Sequence, residues 1–533
     1  MAAAEDQATQ RGGRSGSRIA LAVRHDGLAA LSVRQQTESG QWKTAASSRE
    51  RWERPCRRSG RASAHTLSRG FGTTNGEPAK GSSMRTRFLI SAVAMLILLV
   101  PRGLRADAPG GAVASDGLKP GDTLDQRNWQ RAEGLLPPEI LKHYEHNEYV
   151  NPISEWPANV YNWPEDFQAG SKQNAGRYTT GKLGEILESA SGKQPAYIIG
   201  FPFPDIDPAD PAAGTKVLWN FYYRTYYFGN LRAESQLNMM SPGSLERRLD
   251  VDVRFMYYDG VPEQERVKGN PQNFLYQQLV VVNSPNDLQG TGSLSWRYRD
   301  PQKRDSSWAY VPALRRVRAV SPANRSDGFL GSDMSQDDGP FFDGKPEDFE
   351  WKLKGEADQL RLVDPMNLQG KSGNSWLSSG GWRADWPADL KFLGYMDSQW
   401  RGVSWAPIAA GLAKRRFYVI EGTPRDKYYL FGKIELYLDK ISFQGAWNRK
   451  FGWKGELLNT EQVMAWNPHT VVRPNGKKDW VQGTNQAFQC AESIKLERAT
   501  VAGIKSSPTA NFDGRLVFDP KLFDLDALSQ NGK

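Results

Sequence analysis

From Asp250 to Pro312 the sequence keeps a period of two, and a chain that does so for that long commits much of its mass to a sheet. Four segments carry the pattern: VDVRFMYYDG, NFLYQQLVVV, GSLSWRYRD and SSWAYVP, with turn residues between them. In the third, Leu294, Trp296 and Tyr298 point one way, and Ser295, Arg297 and Arg299 the other. In the fourth, Trp308 and Tyr310 sit two residues apart. Successive strands of this kind predict an antiparallel meander, and the two aromatic-rich ones a β-hairpin broken at Asp300-Pro301. Pro312 has no N–H to give a ladder, so the last strand ends there or lies at an edge. A basic run follows (Arg315, Arg316, Arg318), then a glycine-broken acidic loop through Asp327, Asp333, Asp337 and Asp338. Long ordered loops beside a sheet edge are common sites of binding.

The remainder reads as more strand than helix. Strand patterns return in RRFYVIEGTP, KYYLFGKIELYLDK, SFQGAWNRKFGWKGELL, QVMAWNP and the Gln486 to Thr500 region, and FEWKL (Phe349 to Leu353) is another. Pro137-Pro138 suits the first turn of a helix from about Glu139 to His146, buried through Ile140 and Tyr144, with Asp122 or Asp125 capping a short helix before it. Pro152, Pro157 and Pro164 mark packed loop to about Gly170. Leu183, Ile186 and Leu187 space a helix over Thr179 to Ser191. The FPFPDIDPADPAAGT stretch is too rich in proline for regular structure. Val217 to Tyr227 fits helix or strand by pattern alone, and a short helix is expected near Gly355 to Leu362. Residues 364–411 show no period and read as a long loop insertion or lid, and the chain is expected to end, from Gly514, in a strand and tail. With long helical periods scarce and Gly, Pro, Trp and Tyr abundant, the fold class is α+β, β-dominated.

Residues 1–83, rich in Arg, Ser, Gly and Ala, cannot build a core and read as a non-native or disordered leader. Met84 opens a secretory pattern over 84–108: Arg85 and Arg87, an apolar run from Phe88 to Val100, and Ala106-Asp107-Ala108 as cleavage site. Met84 is thus the expected start, the mature domain 109–533, and the compartment the periplasm, with association at the outer membrane. The absence of a Cys at the cleavage site argues against a lipid anchor. The formal charge of +9 would suggest a nucleic-acid binder. Residues 1–83 hold 14 Lys+Arg against 7 Asp+Glu, however, and residues 84–108 hold 4 Arg against 1 Asp, which leaves −1 for the rest. No nucleic acid is expected. Cys490 alone follows the leader, so the core rather than a disulfide must hold the mature chain.

No catalytic pattern stands up. Gly370-Lys371-Ser372 imitates a phosphate loop, but the required first Gly is Pro365. No Gly-x-Ser-x-Gly frames Ser293, Ser332 or Ser375. Asp333-x-Ser335-x-Asp337 imitates a calcium loop, yet its turn Gly is Asp338 and its bidentate Glu is Gly344. A solvated acidic loop pairing with Arg315, Arg316 or Arg325 is expected instead. His143 and His146 could form a metal pair, but only His469 is left to join them in the mature chain. The expectation is a non-enzyme without cofactor or metal.

Aromatic residues on strands are the remaining signal. Two-thirds of them are accounted for as core. The others suit the concave face of a curved sheet that takes an apolar guest and meets its polar end with charge at the rim. Trp296, Tyr298, Trp308 and Tyr310 are the expected wall, and Arg315, Arg316 and Asp333 the rim or latch.

WAYVPALRRVRAV followed by GFLGSDMSQDD, with GFPFPDIDPADPAAGTKVLWN and YYLFGKIELYLDK, resembles the DUF1329 family of exported Gram-negative proteins, which are outer-membrane lipoprotein-sorting-like. That family is similar to the periplasmic lipoprotein carriers and their outer-membrane acceptors. The resemblance covers roughly Lys119 to the C-terminus. It implies a strongly curved antiparallel sheet, a half-barrel, plugged by helices, and it favours helix for Val217 to Tyr227. By analogy it implies a periplasmic carrier or chaperone of a hydrophobic small molecule, lipid or lipoprotein acyl chain. It also implies an RND-type exporter and an outer-membrane protein as partners. The alternative is a non-carrying accessory or scaffold subunit docking to such a transporter or outer-membrane protein. The chain is about twice the length of the simple carriers, and its 364–411 insertion has no counterpart in them.

Overall fold

Alternation requires partners for each strand, and the chain supplies them in two meanders. The computed structural model describes residues 34–36, 42–44, 117–156, 163–363, 373–385 except 379, 391–465, short pieces between 469 and 481, 486–504 and 512–531. The chain divides into two units, Met1–Leu99 and Val100–Lys533. In the first, the described residues are two short antiparallel strands, Arg34–Gln36 and Trp42–Thr44. The secretory pattern of 84–108, the remainder of the 1–83 leader and Cys56 lie outside the described residues.

In the second unit, helices α1 (Pro138–Glu145), α2 (Glu165–Asn174) and α3 (Ala213–Tyr226) precede the main sheet. The first meander comprises β1 (Leu231–Ser241), β2 (Ser244–Tyr257), β3 (Phe274–Ser284), β4 (Gly292–Tyr298), β5 (Ser306–Val311) and β6 (Arg316–Val320). The second comprises β7 (Phe349–Val363), β8 (Gly411–Pro424), β9 (Lys433–Asp439), β10 (Gly445–Phe451), β11 (Leu457–Ala465), β12 (Gln486–Ser493) and β13 (Arg498–Ile504). Within each, consecutive strands pair antiparallel, and β13 joins β1 with Val501 opposite Asn238. A short helix, α4 (Leu525–Asn531), closes the chain. The sheet is not closed, but it curls strongly: Val363 at the end of β7 reaches back to bridge Ala465 of β11.

β6 pairs with β5 alone and forms one edge of the sheet, while β7 pairs along its length with β8 and touches β11 only through the single Val363–Ala465 bridge, so that its free side forms the other. Residues 321–348 therefore have to cross from edge to edge. That topological demand, more than any motif, makes the acidic loop the organising element of the chain.

Helix α3 is buried from Ala213 to Tyr226 except at the half-buried Lys216. VLWNFYYRTYY is mostly aromatic and aliphatic, and its Asn220 and Arg224 are buried with the rest, which places the helix inside a core. It plugs the inner face of the sheet, where Phe221, Tyr222 and Tyr226 meet Tyr257, Tyr276, Phe341 and Ile420 in one aromatic core. α2 joins this core through Phe167, packed on Trp163, Phe201 and Tyr227. The outer face of the second meander is covered by α1 and by residues 393–410, with Trp405, Trp447 and Phe417 at the centre. The outer face of β3 to β5 is covered by the C-terminal tail, whose Phe523 and Leu528 are fully buried.

Several local expectations are corrected. Thr179 to Ser191 is not a helix but a hairpin of Tyr178–Thr180 and Ile186–Glu188, because Gly181 and Gly184 turn the chain between them. The helix expected at Gly355 to Leu362 is the second half of the long strand β7. A bulge after Leu353, with Gly355 at φ 142°, interrupts the two-residue period there. Helix α2 lies partly in the stretch read as packed loop, with Pro164 before its first turn. The basic run is the edge strand β6, and the terminal segment ends in α4 rather than a strand. In the 364–411 insertion, Gly373–Trp376 and Trp382–Asp385 form a hairpin held to β1 through the strand Phe512–Gly514.

Candidate functional site

Strands β1, β2 and β3 turn alternate residues toward α3. Leu231 lies opposite Phe255, Ala233 opposite Val253 and Ser235 opposite Val251, while Val253 is also opposite Val280. These side chains do not meet the helix everywhere. Between them and Phe221, Thr225 and Phe228 remains a cavity of about 260 Å³, closed on one side by Phe329, Met334 and Pro340 of the crossing loop. Its walls are largely hydrocarbon, and Leu237, Val253 and Val280 are only half-buried because they face this space. The polar lining residues are mostly engaged with the protein, Glu234 accepting from Arg232 at 2.8 Å. Gln489 is already engaged, its amide donating to the Asp338 carbonyl and its oxygen accepting the Phe341 N–H at 3.0 Å. The Ser235 hydroxyl donates to the Gly503 carbonyl at 2.8 Å. What the space offers a guest is burial, with Arg224 as the one cationic side chain of α3 in its wall.

The crossing loop is held by buried ion pairs. Arg297, on the inner face of β4, is fully buried and donates to Asp305 at 2.7 Å and to Asp343 at 3.1 Å. Arg325 donates to Asp337 at 2.6 Å and to Asp343 at 3.3 Å. The Tyr276 hydroxyl also donates to Asp343, and the Tyr429 hydroxyl to Asp337. Lys450 of β10 meets Asp338. Burial opposes ionisation of Asp305, yet the two guanidiniums hold its carboxyl below the usual range. At Asp343 burial prevails over them and pushes the carboxyl up to about 6. The acidic loop is thus not solvated. Its expected pairing with Arg325 occurs, while Arg315 and Arg316 are exposed on and beside the β5–β6 turn and take no part.

Of the expected wall, none of the four aromatics lines the cavity. Trp296, Tyr298, Trp308 and Tyr310 share one face as alternation requires, but it is the outer face, under the C-terminal tail. The Trp296 indole N–H donates to the Phe523 carbonyl at 2.9 Å and its ring meets Trp308 edge-on. Their sequence neighbours Ser293, Ser295 and Arg297 point inward instead. A period of two fixes which residues share a face and says nothing of which face is inner. Asp333 belongs to the crossing loop. Its carboxylate accepts from Arg498 at 2.7 Å and from the Thr500 hydroxyl at 3.0 Å, which pins the loop to β13 one residue before the cavity-lining Met334. β1, which gives the cavity more lining residues than any other strand, carries no clear strand signal because Ala233 and Ser235 dilute its apolar alternation.

Among the described residues no three His, Cys, Asp or Glu side chains are grouped to hold a metal ion. His143 is buried, and both ring nitrogens are taken by carboxylates: Nδ1 by Glu148 at 2.7 Å and Nε2 by Glu492 at 2.8 Å. Burial alone would lower its pKa, but hydrogen bonds and charge from Glu148 and Glu492 raise it to about 9. The folded state therefore keeps a proton that the unfolded chain, near 6.5, gives up. The stabilisation from this group is full below pH 6.5 and is lost as pH rises through about 9. Urea unfolding followed across that window is expected to show this decline, and His143→Gln to flatten it.

The sequence profile of a family described as a protein of unknown function (DUF1329) matches residues 123–486. Among solved structures, the chain is similar to a DUF1329 family protein from Desulfovibrio piger at 15% identity, covering 60% of this chain and 99% of that one, with a TM-score of 0.39. It is also similar to a domain described as an outer membrane lipoprotein-sorting protein from Vibrio parahaemolyticus, at 14% identity, 60% and 100% coverage and a TM-score of 0.38. A LolA superfamily protein from Nitrosomonas europaea matches at 12% identity, 59% and 98% coverage and a TM-score of 0.34. No sequence among curated proteins matches the chain.

Proposed function

Because the chain belongs to the DUF1329 family, whose description assigns no activity, we propose from its own geometry that it is a periplasmic carrier or chaperone of a hydrophobic ligand. The observation that carries this reading is the hydrocarbon-walled cavity between α3 and strands β1 to β3. An apolar cavity of about 150 Å³ already admits a benzene-sized guest, and each CH₂ taken out of water contributes about 0.8 kcal/mol. The space of about 260 Å³ suits one acyl segment or a compact aromatic hydrophobe. Asp333 acts in this reading as the latch of the loop that bounds the cavity, and Leu237, Val253 and Val280 as its wall. The export pattern opened by Met84 supports a periplasmic site of action. Among the described residues no helix is long and apolar enough to cross a membrane. An envelope transporter of the exporter type and an outer-membrane protein are the partners that the family resemblance suggests.

The test is native mass spectrometry with lipid extraction of the protein purified from periplasm. A co-purifying hydrophobe in near-stoichiometric amount is expected. Val253→Asp places a charge in the cavity wall and is expected to lower occupancy at least tenfold and to lower the melting temperature, with a cooperative transition showing that the fold survives. A wild-type protein that is empty and takes up no fluorescent lipid would overturn the carrier reading in favour of a non-carrying accessory subunit.

A further inference from the structure

Antiparallel order sends the turns β8–β9, β10–β11 and β12–β13 to one end of the sheet, since successive turns of a meander alternate ends. Each of the three bears an apolar side chain in water beside a lysine. Tyr428 is 75% exposed and follows Lys427; Trp453 is 52% exposed and precedes Lys454; Leu496 is 57% exposed and follows Lys495. Leu430, 49% exposed, adds to the first. These tips are built rather than loose. The Trp453 indole N–H donates to the Tyr429 carbonyl at 3.0 Å, and the Lys427 ammonium lies 5.4 Å from the Tyr428 ring centroid. The neighbouring Arg304–Asp426 and Arg425–Glu350 pairs cancel, at 3.0 and 2.8 Å. What remains is Lys427, Lys454 and Lys495 against Glu456 and Glu497, a small positive surplus. The β9–β10 turn, at the opposite end, also exposes Ile441, but there the adjoining Lys440 is bound to Glu356 at 2.6 Å.

We propose that this row of three turn tips docks the protein on an anionic phospholipid surface. Tyr428 places its ring in the acyl boundary and its hydroxyl among headgroups, Trp453 and Leu496 add apolar area, and lysines reach back to the phosphates along their hydrocarbon stems. Three protruding tips on separate turns fit a deformable interface better than a preformed groove. Association comes mainly from the buried apolar area, with a modest charge contribution set by the small surplus. The proposal stands whether or not the cavity holds a guest.

The experiment is flotation of the full chain with vesicles of phosphatidylethanolamine and phosphatidylglycerol. The wild-type protein is expected to float, and the triple variant Tyr428→Ser, Trp453→Ser, Leu496→Ser to lose at least tenfold in partitioning with an unchanged melting transition. Replacing Lys427, Lys454 and Lys495 by Gln is expected to weaken flotation several-fold with phosphatidylglycerol and not with phosphatidylcholine alone. Val253→Asp, expected to lower occupancy of the cavity, should float as wild type, so the two readings fail separately. Should the triple Ser variant be misfolded, quenching of Trp453 fluorescence by brominated acyl chains, read as the difference between wild type and Trp453→Phe, decides the matter. A wild-type protein that ignores the vesicles, or a folded Ser variant that floats equally, overturns the proposal and leaves the tips to a protein partner.

Discussion

Arg297→Met is expected to destabilise the protein by about 3–5 kcal/mol, because it removes one member of a buried ionic cluster and leaves its carboxylates behind. Arg297 is 0% exposed; Asp305 and Asp343 are both buried, and the guanidinium also lies over the Tyr276 ring at 4.9 Å. Without it, Arg325 is the remaining cation of the cluster facing Asp305, Asp337 and Asp343. The sign of the pH dependence follows. In the wild type Asp305 is held below the usual range, so its contribution is present above the ordinary carboxylate pKa and lost as pH falls. In the variant, burial dominates at Asp305 as it already does at Asp343. Both then favour the protonated form, and the deficit grows as pH rises. Urea unfolding of the two proteins at acid and neutral pH measures it. The combined variant Arg297→Met, Asp305→Leu should recover part of the loss, since it removes the orphaned charge too. If Arg297→Met cost less than a typical exposed substitution, the crossing loop would be held by its apolar residues Phe341 and Phe342 instead.

The division between what could and could not be read in advance has a physical basis. Periodicity depends on nearest neighbours, so β2 to β5 and β8 to β12 were legible as strands, and Pro312 does end β5 at Val311. Helix α1 was legible from its Pro-Pro start and its Ile140 and Tyr144 stripe. Helix α3 was not, since a segment buried almost throughout has no period, and only family resemblance favoured it. The functional surface depends on which face of a strand is inner. That is decided by α3 and by the crossing loop, both distant in sequence from β4. Arg297 carried a usable hint: an Arg alternating with Leu294, Trp296 and Tyr298 must lie on the other face, and the four acids downstream needed cations. Joining those two facts would have turned the inner face of β4 toward the acidic loop and sent the aromatics outside. The cavity itself left no local mark, because Leu231, Ala233, Ser235 and Leu237 look in the sequence like a weak strand.

Phe221→Ala is expected to cost about 3–5 kcal/mol, and to be repaired in part by an apolar guest. Phe221 is 2% exposed, touches Phe341 edge-on with ring centroids 5.6 Å apart, and forms part of the cavity wall. Its removal lowers packing and enlarges a space whose walls are already largely hydrocarbon, so that an apolar guest regains the lost burial there. A ligand that binds only the folded state stabilises it by RT ln(1 + [L]/Kd), so the melting temperature of the variant should climb with added N-phenylnaphthylamine more steeply than that of the wild type. Phe523→Ala is the control. Phe523 is equally buried, but it lies under the tail on the outer face, away from the cavity. It should lose a similar amount of stability and gain nothing from the probe. Equal rescue of both variants would mean that the probe binds wherever a phenyl ring is deleted. Rescue of neither, with wild-type protein also unresponsive, would place guest binding outside the space between α3 and the first meander, and the carrier reading would lose the observation on which it stands.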